Sequence, residues 1–467
     1  MKQREGVMME TIFWRKVLLG VASLLVVVAS LEAAEQRSED LRDAAIPSGI
    51  FDYVARPESV FQWSIRETRS LDTGTLYDVD LTSQQWKGIV WKHVLHVHEP
   101  RHIEYPRHVL LFVSGGTNDR RPREGEVLLG QHLANLCGAR VAMLFQVPNQ
   151  PLLDGRREDD LISETWLRFL ETGDLEWPLL FPMVKSAVKA MDAIQEIAAR
   201  QWGGEVSGFV VTGASKRGWT SWLTGVVDRR VVAIAPIVID VLNFRVQMRY
   251  QLETWGKFSE QLDDYTRKGL ITPEKLEKET PQESLLRQMM DPYTYRQHLR
   301  LPKLIINGTN DRYWVVDATR IYWHDLVGPK YLLEVPNAGH GLEGGRELAL
   351  ATLSAFFRHI AGGEPMPAVD WNFAEEDKSV VLQMWSDQKP TDARLWVASS
   401  ETKDFREARW SPQPMQEQDG RFIGRVILPE EGYVALFGQF TFQKGGLPFA
   451  LSTYVRRYPP NGTKPGQ

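Results

Sequence analysis

The sequence predicts an α/β fold in which a mostly parallel sheet is covered by helices on both faces, followed by a small all-β region. Three observations predict it. Apolar runs at 109–113 and 208–211 alternate with helical spacings such as Val184, Ala187, Met191, Ile194 and Ile197, the rhythm of βαβ units. The runs are apolar throughout rather than alternating, as parallel strands buried on both faces are. Beyond Pro365 the helical spacings stop, and short strands separated by turn residues take over.

Taken in order, the chain begins with Lys2, Arg4, Arg15 and Lys16 ahead of the apolar stretch 17–29. A basic region followed by an apolar core of this size predicts an export signal over 1–33, cleaved near Ser30 or at Ala33-Ala34, with an uncleaved signal anchor as the alternative. The expected location is therefore the periplasm or the medium, with no membrane contact beyond that anchor. Residues 60–71 and 84–98 alternate in the strand manner and predict an antiparallel entry to the sheet. The strand at 109–113 ends in Ser114-Gly115-Gly116-Thr117. A helix over 126–136 and a strand over 139–147 follow, and Pro148 and Pro151 end that strand. Residues 154–177 are charged and read as a surface excursion, and the run Glu158-Asp159-Asp160 reads as a solvated loop.

The helical segment 182–202 leads to the most informative stretch. Gly208-Phe209-Val210-Val211 is a strand, Thr212-Gly213-Ala214-Ser215 a tight turn, and Lys216-Arg217-Gly218-Trp219 the start of a helix. That is the shape of a nucleophile elbow. Asp311 follows the apolar run 304–306, and His340 follows the run 331–335. Serine, then acid, then histidine is the chain order of α/β-hydrolase triads, so the predicted fold is an α/β-hydrolase. Residues 48–365 make its core, with 245–300 a polar, helix-forming insertion placed where a lid forms. The β-rich region spans 366–458, and 459–467 reads as a disordered tail.

A serine hydroxyl needs a base to take its proton, and the base needs an acid to fix its tautomer. Ser215, His340 and Asp311 are the candidates for those roles. The backbone N–H of Lys216 and that of Gly115, Gly116 or Thr117 are candidate oxyanion donors. Asp240, which ends the strand after the elbow helix, is the rival acid. Asp317 is a weaker one, read as capping a helix that runs to Leu326. The elbow departs from G-x-S-x-G, because position 217 is Arg and the glycine comes at 218. Arg217 either binds a substrate oxygen or pairs with an acid such as Asp240. Lys216 either faces substrate or is solvated, and Trp219 is a further candidate substrate contact.

Composition excludes other classes. With 43% hydrophobic and 25% charged residues the chain is ordinary for a globular protein. A formal charge of -5 with no basic block argues against nucleic acid. The single cysteine, Cys137, excludes an internal disulfide framework and reads as a buried hydrophobe. His96 and His98 share a strand face but have no third ligand at metal spacing, so neither metal nor cofactor is expected. Most of the 16 tryptophans belong in the core; exposed ones suit sugar stacking. Asn307-Gly308-Thr309 and Asn461-Gly462-Thr463 match the glycosylation pattern, which carries meaning only in a eukaryotic secretory pathway.

The stretches GASKRGWTSW at 213–222, NGTNDRYW at 307–314 and NAGHG at 337–341 together resemble the PhoPQ-activated pathogenicity-related family, from about residue 51 to 458. The resemblance implies an exported α/β-hydrolase whose triad falls on Ser215, Asp311 and His340. A basic residue directly after the serine is also similar to the elbow of glucuronoyl esterases, as an analogy. The expected reaction is hydrolysis of a carboxylic ester, with a carbohydrate-linked or anionic substrate favoured by Lys216 and Arg217. The alternatives are a serine peptidase and a non-catalytic secreted signalling or binding protein. Small molecules, glycans and peptides remain the candidate substrates.

Overall fold

A nine-stranded sheet forms the centre of the protein, in the spatial order β1-β2-β3-β5-β4-β6-β7-β8-β9. The computed structural model describes residues 46–461, so the segment read as an export signal and residues 462–467 lie outside it. Helix α1 (Gly49–Ala55) precedes an antiparallel meander of β1 (Gln62–Leu71), β2 (Gly74–Trp86) and β3 (Ile89–Pro100). Lys87 and Gly88, both at positive φ, make the two-residue loop between β2 and β3. Most of β2 went unread in the sequence. It is buried at eight positions spread over both faces, and a register shift between Thr82 and Gln84 breaks its alternation.

The remaining strands run parallel: β4 (His108–Val113), β5 (Arg140–Leu144), β6 (Gly208–Ala214), β7 (Val231–Ile237), β8 (Lys303–Gly308) and β9 (Lys330–Val335). Helices α2 (Glu124–Cys137), α3 (Glu158–Thr172), α4 (Leu180–Ile197) and α5 (Lys216–Val227) lie along the chain between them. Cys137 is buried at the end of α2, and burial pushes its thiol up to about 12. The insertion consists of α6 (Phe244–Trp255), α7 (Asp263–Thr266), α8 (Pro273–Glu277) and α9 (Pro281–Met290), and α10 (Arg346–Gly362) closes the core. The stretch 154–177 is not merely a surface excursion. It contains α3, whose Leu161, Ile162, Trp166 and Phe169 are buried.

The C-terminal region is a pair of antiparallel sheets. One is β10 (Val369–Glu376), β11 (Ser379–Ser386), β15 (Arg421–Ile427) and β14 (Gln416–Gln418). The other is β13 (Ser411–Pro414), β12 (Asp392–Ser400), β16 (Tyr433–Lys444) and β17 (Leu447–Ser452), with β18 (Arg456–Tyr458) also on β16. The hydrophobic cluster that holds Leu304, Leu333 and Phe356 of the central core continues through Leu382, Phe440 and Phe449 of these sheets. From Pro47 onward the described residues form one compact unit. The backbone N–H of Asn461 reaches back to the Pro429 carbonyl at 2.8 Å. Among the described residues no helix is long and apolar enough to cross a membrane.

Candidate active site

The parallel strands deliver Ser215, Asp240, Asp311 and His340 to one rim, since these residues follow β6, β7, β8 and β9 in turn. Ser215 sits at φ 57°, ψ -128°, a conformation that non-glycine residues adopt only under strain. Its N–H is held by the Ile237 carbonyl at 2.8 Å, and its own carbonyl accepts the Trp219 N–H at 3.0 Å. Two glycines let the turn close. A Cβ on Gly213 would come within 2.8 Å of the Val113 carbonyl, and one on Gly218 within 2.8 Å of the Gly213 carbonyl. The displaced glycine of the motif is thus required at 218, where helix α5 crosses back over β6.

His340 Nδ1 and Asp311 Oδ2 are 2.8 Å apart. The other Asp311 oxygen accepts the Tyr313 backbone N–H at 2.9 Å, so both oxygens are engaged and the carboxylate cannot swing away. The Tyr313 ring lies 4.3 Å from the imidazole, which it covers at a shallow 35°. Ser215 and His340 line one apolar cavity of about 30 Å³ with Trp166, Trp219, Phe244 and Tyr313. No hydrogen bond joins Ser215 to His340 among the described residues; the two side chains share only the lining of this cavity.

Two asparagines, neither singled out in the sequence, hold the acid and histidine loops. Asn310 Nδ2 donates to the Ala408 carbonyl at 2.7 Å and to that of Arg406 at 3.1 Å. Asn337 exchanges two bonds with the Trp410 backbone, 3.0 Å from its amide nitrogen and 2.7 Å to its oxygen. The two loops also bind each other, through Asn310 N–H to the Ala338 carbonyl (2.9 Å) and Asn337 N–H to Thr309 Oγ1 (2.9 Å). The β region therefore anchors both loops. The available sequence signal was an Asn within three residues of Asp311 and of His340, but the partners of these asparagines lie about 70 to 100 residues away along the chain.

Several expectations change. Glu158, Asp159 and Asp160 are not a solvated loop but the first turn of α3, where a helix N-terminus favours acids. Arg217 is a structural cation, and its partner is Glu158 rather than Asp240. Its Nη1 and Nη2 each meet a Glu158 oxygen at 2.8 Å, and its Nε donates to the Val147 carbonyl at 2.6 Å. Lys216 is neither solvated nor free. It lies 3.0 Å from Glu158 and 3.2 Å from Asp159. Burial works to raise the Glu158 carboxyl, but the Arg217 bonds and the two cations outweigh it and hold it well below the usual range. Asp159 also accepts from Tyr265 at 3.0 Å, and burial together with that carboxylate pushes the Tyr265 phenol far up.

Asp240 is buried, and among the described residues no hydrogen bond joins it to His340. It accepts from Thr319 Oγ1 at 2.9 Å, its other oxygen has no partner, and burial raises its carboxyl to about 7. Asp317 caps no helix. It accepts from Tyr250 at 2.7 Å and from Arg320 at 3.0 Å, and the expected helix is two short 3₁₀ turns. The carbonyls of Gly115 and Gly116 are taken by Gln146 N–H and Gln150 Nε2, while their amides have no acceptor among the described residues. A Cβ at Gly115 would lie 2.6 Å from the Arg217 guanidinium, so the close approach of that side chain excludes anything larger. Trp219 donates its indole N–H to the Met290 carbonyl at 2.6 Å and forms a wall of the cavity. His96 lies 3.5 Å from Asp78, and no group of three metal-ligating side chains occurs among the described residues.

Residues 50–406 match the family described as PhoPQ-activated pathogenicity-related protein. A relative from Dictyostelium discoideum, "Autocrine proliferation repressor protein A", is 33% identical over 377 residues, covering 76% of this chain and 75% of that protein. Among solved structures, acetyl xylan esterase 1 from Thermoanaerobacterium sp. JW/SL YS485 is 15% identical with a TM-score of 0.46, over 69% of this chain and 98% of that one. An S-formylglutathione hydrolase from Agrobacterium tumefaciens is 12% identical with a TM-score of 0.38, over 64% and 96%.

Proposed function

Given that this chain belongs to the PhoPQ-activated pathogenicity-related protein family, we propose that it is an exported serine hydrolase that cleaves a carboxylic ester. The observation that carries this reading is the Asp311–His340 contact of 2.8 Å at the rim where the strained Ser215 opens into the same cavity. His340 Nε2 takes the hydroxyl proton as Ser215 Oγ attacks the ester carbonyl carbon. The tetrahedral oxyanion is held by the N–H of Lys216 and that of Gly115 or Gly116. Collapse breaks the bond to the alkoxy oxygen, which leaves with the proton from His340. Water, deprotonated by the same imidazole, then releases the acid from Ser215. Asp311 keeps the imidazole in the tautomer that presents Nε2 to the serine and stabilises the imidazolium.

Lys216 and Arg217 do not select an anionic substrate in this scheme. Glu158 and Asp159 balance their charge, and beyond the paired Lys216 and Asp159, Ser215 and His340 the cavity is lined by apolar and aromatic side chains, so the acyl group is neutral. The basic and apolar stretch over 2–29 supports export. Mass analysis of protein recovered outside the cytoplasm tests it, with a chain beginning after Ser30 or Ala34 expected and an intact residue 1 in that fraction contradicting cleavage.

A second reading is a secreted signal on a hydrolase scaffold, favoured by the name of the Dictyostelium relative. Hydrolysis of p-nitrophenyl acetate, compared with an aminoacyl anilide, separates the readings. The esterase reading expects turnover of the acetate that drops at least about 10⁴-fold in Ser215→Ala. Faster cleavage of the anilide would point to a peptidase, and folded protein inert to both would leave the signalling reading.

A further inference from the structure

A second cavity adjoins the one at Ser215. It has a volume of about 60 Å³ and lies beneath the insertion, between α3, α5 and the α6–α9 segment. The two cavities share four side chains, Trp166, Trp219, Phe244 and Ile271, which form the partition between them. Beyond the partition the floor is apolar, made by Leu276, Leu286 and Met290. The charged groups at its rim are matched among themselves. Lys275 meets Glu283 at 2.6 Å, Arg287 meets Glu279 at 2.8 Å, and Arg245 donates to the Leu276 carbonyl at 2.7 Å. Asp291 also lines the cavity, so three carboxylates stand against Arg245, Lys275 and Arg287 and little net charge is left to attract an ionic group, while the floor offers a chain of methylenes what water does not.

We propose that this second cavity is the acyl-chain pocket of the site and that the protein prefers esters of medium-length, unbranched, apolar acids. The proposal rests on the serine esterase reading above and extends it to substrate class. Its direction follows from where His340 stands. The alkoxy oxygen must take its proton from the imidazole, so the leaving group lies on the side of His340, Tyr313 and Trp314. None of these three lines the second cavity, whereas the partition residues line both. The group that extends through the partition is therefore the acyl chain.

Size points the same way. A water-sized sphere needs about 10–15 Å³, so the space at Ser215 holds roughly two such spheres, enough for an acetyl group and little more. Anything longer must enter the larger cavity. Two parts of the partition are fixed. Trp219 is pinned by its bond to Met290, and Trp166 packs edge-on against it with ring centres 5.9 Å apart. Phe244 and Ile271 belong to the insertion, and a shift of these two joins the cavities without disturbing α5 or the elbow.

The test compares kcat/KM for p-nitrophenyl octanoate and acetate in the wild type, in Ile271→Ala, which opens the partition, and in Leu286→Trp, which fills the floor. Wild type is expected to favour octanoate. The octanoate-to-acetate ratio should rise about tenfold in Ile271→Ala and fall about tenfold in Leu286→Trp. Opposite signs from the two changes keep the test decisive if one variant folds poorly. Ethyl and decyl fluorophosphonates serve as controls on Ser215. Labelling by the ethyl compound with a ratio unmoved in both variants overturns the acyl pocket while leaving the esterase reading intact. No labelling by either compound and no hydrolysis overturns both.

Discussion

Asp240 follows β7 and Asp311 follows β8, so two carboxylates leave neighbouring strands at the same rim of the sheet. Their surroundings separate them. Asp311 gives one oxygen to His340 and the other to the Tyr313 N–H. Asp240 has one bond, from Thr319, and an oxygen with no partner. Burial, with the carboxylates of Asp311 and Asp317 adding to it, lifts Asp240 to about 7. Glu334, buried nearby, is pushed far up by burial and by Asp240. Glu158 is a third case, drawn down because Arg217 and Lys216 overcome its burial. Strand-end position makes an acid available, and its hydrogen-bond partners decide whether it serves as an anion, a neutral acid or a counter-ion.

The largest effect expected from this comparison is on turnover. Asp311→Asn should lower kcat about 10⁴-fold, because the amide favours the wrong imidazole tautomer. Asp240→Asn should cost less than about tenfold, since that site already carries a proton near neutral pH. Steady-state kinetics on p-nitrophenyl acetate decide it, and equal losses in the two variants would erase the distinction.

The next effect concerns how the acid and histidine loops are held. Asn337→Ala removes both bonds to Trp410 and should reduce kcat about 10²-fold with little change in KM, through misplacement of His340. A rise in KM at constant kcat would assign Asn337 to substrate binding instead. Arg217→Ala leaves Glu158 with only Lys216 and the Gln150 amide as partners and should destabilise the fold by about 2 kcal/mol in urea denaturation. An unchanged midpoint would mean that the guanidinium contributes nothing to the fold.

The smallest effect is on pH dependence. Folded Asp240 keeps its proton up to about pH 7, whereas the unfolded chain releases it near the ordinary value of 3.8. Between those values the folded state binds more protons, so this contribution is complete at low pH and is lost as pH rises toward 7. Asp240→Asn removes that dependence. Its stability relative to wild type should improve by up to about 1.4 kcal/mol per pH unit across the window. A difference that stays flat with pH would mean that Asp240 is ionised in the folded protein.

The strained turn at Ser215 and the strand ends that carry Asp311 and His340 were legible in sequence because each follows an apolar strand and needs only local grammar. The glycine at 218 and the run 213–219 carry the turn chemistry in a single heptapeptide. Other features depended on partners distant along the chain. Nothing near Glu158 announces that it will meet Arg217, 59 residues on. The charge of Arg217 therefore read as either open to substrate or paired with an acid such as Asp240, when Glu158 already matched it. Strand β2 escaped notice because its two buried faces and its bulge erase the period of two. The asparagine anchors were hidden for the same reason as Glu158, since their acceptors are backbone carbonyls of a separate sheet region.

The most direct measurement is intact mass after exposure to an ethyl fluorophosphonate. The account predicts one adduct, located on Ser215 by peptide mapping, absent in Ser215→Ala and formed far more slowly in Asp311→Asn. Folded wild-type protein that acquires no adduct, or that acquires it on another serine, would contradict the claim that Ser215 is an activated nucleophile.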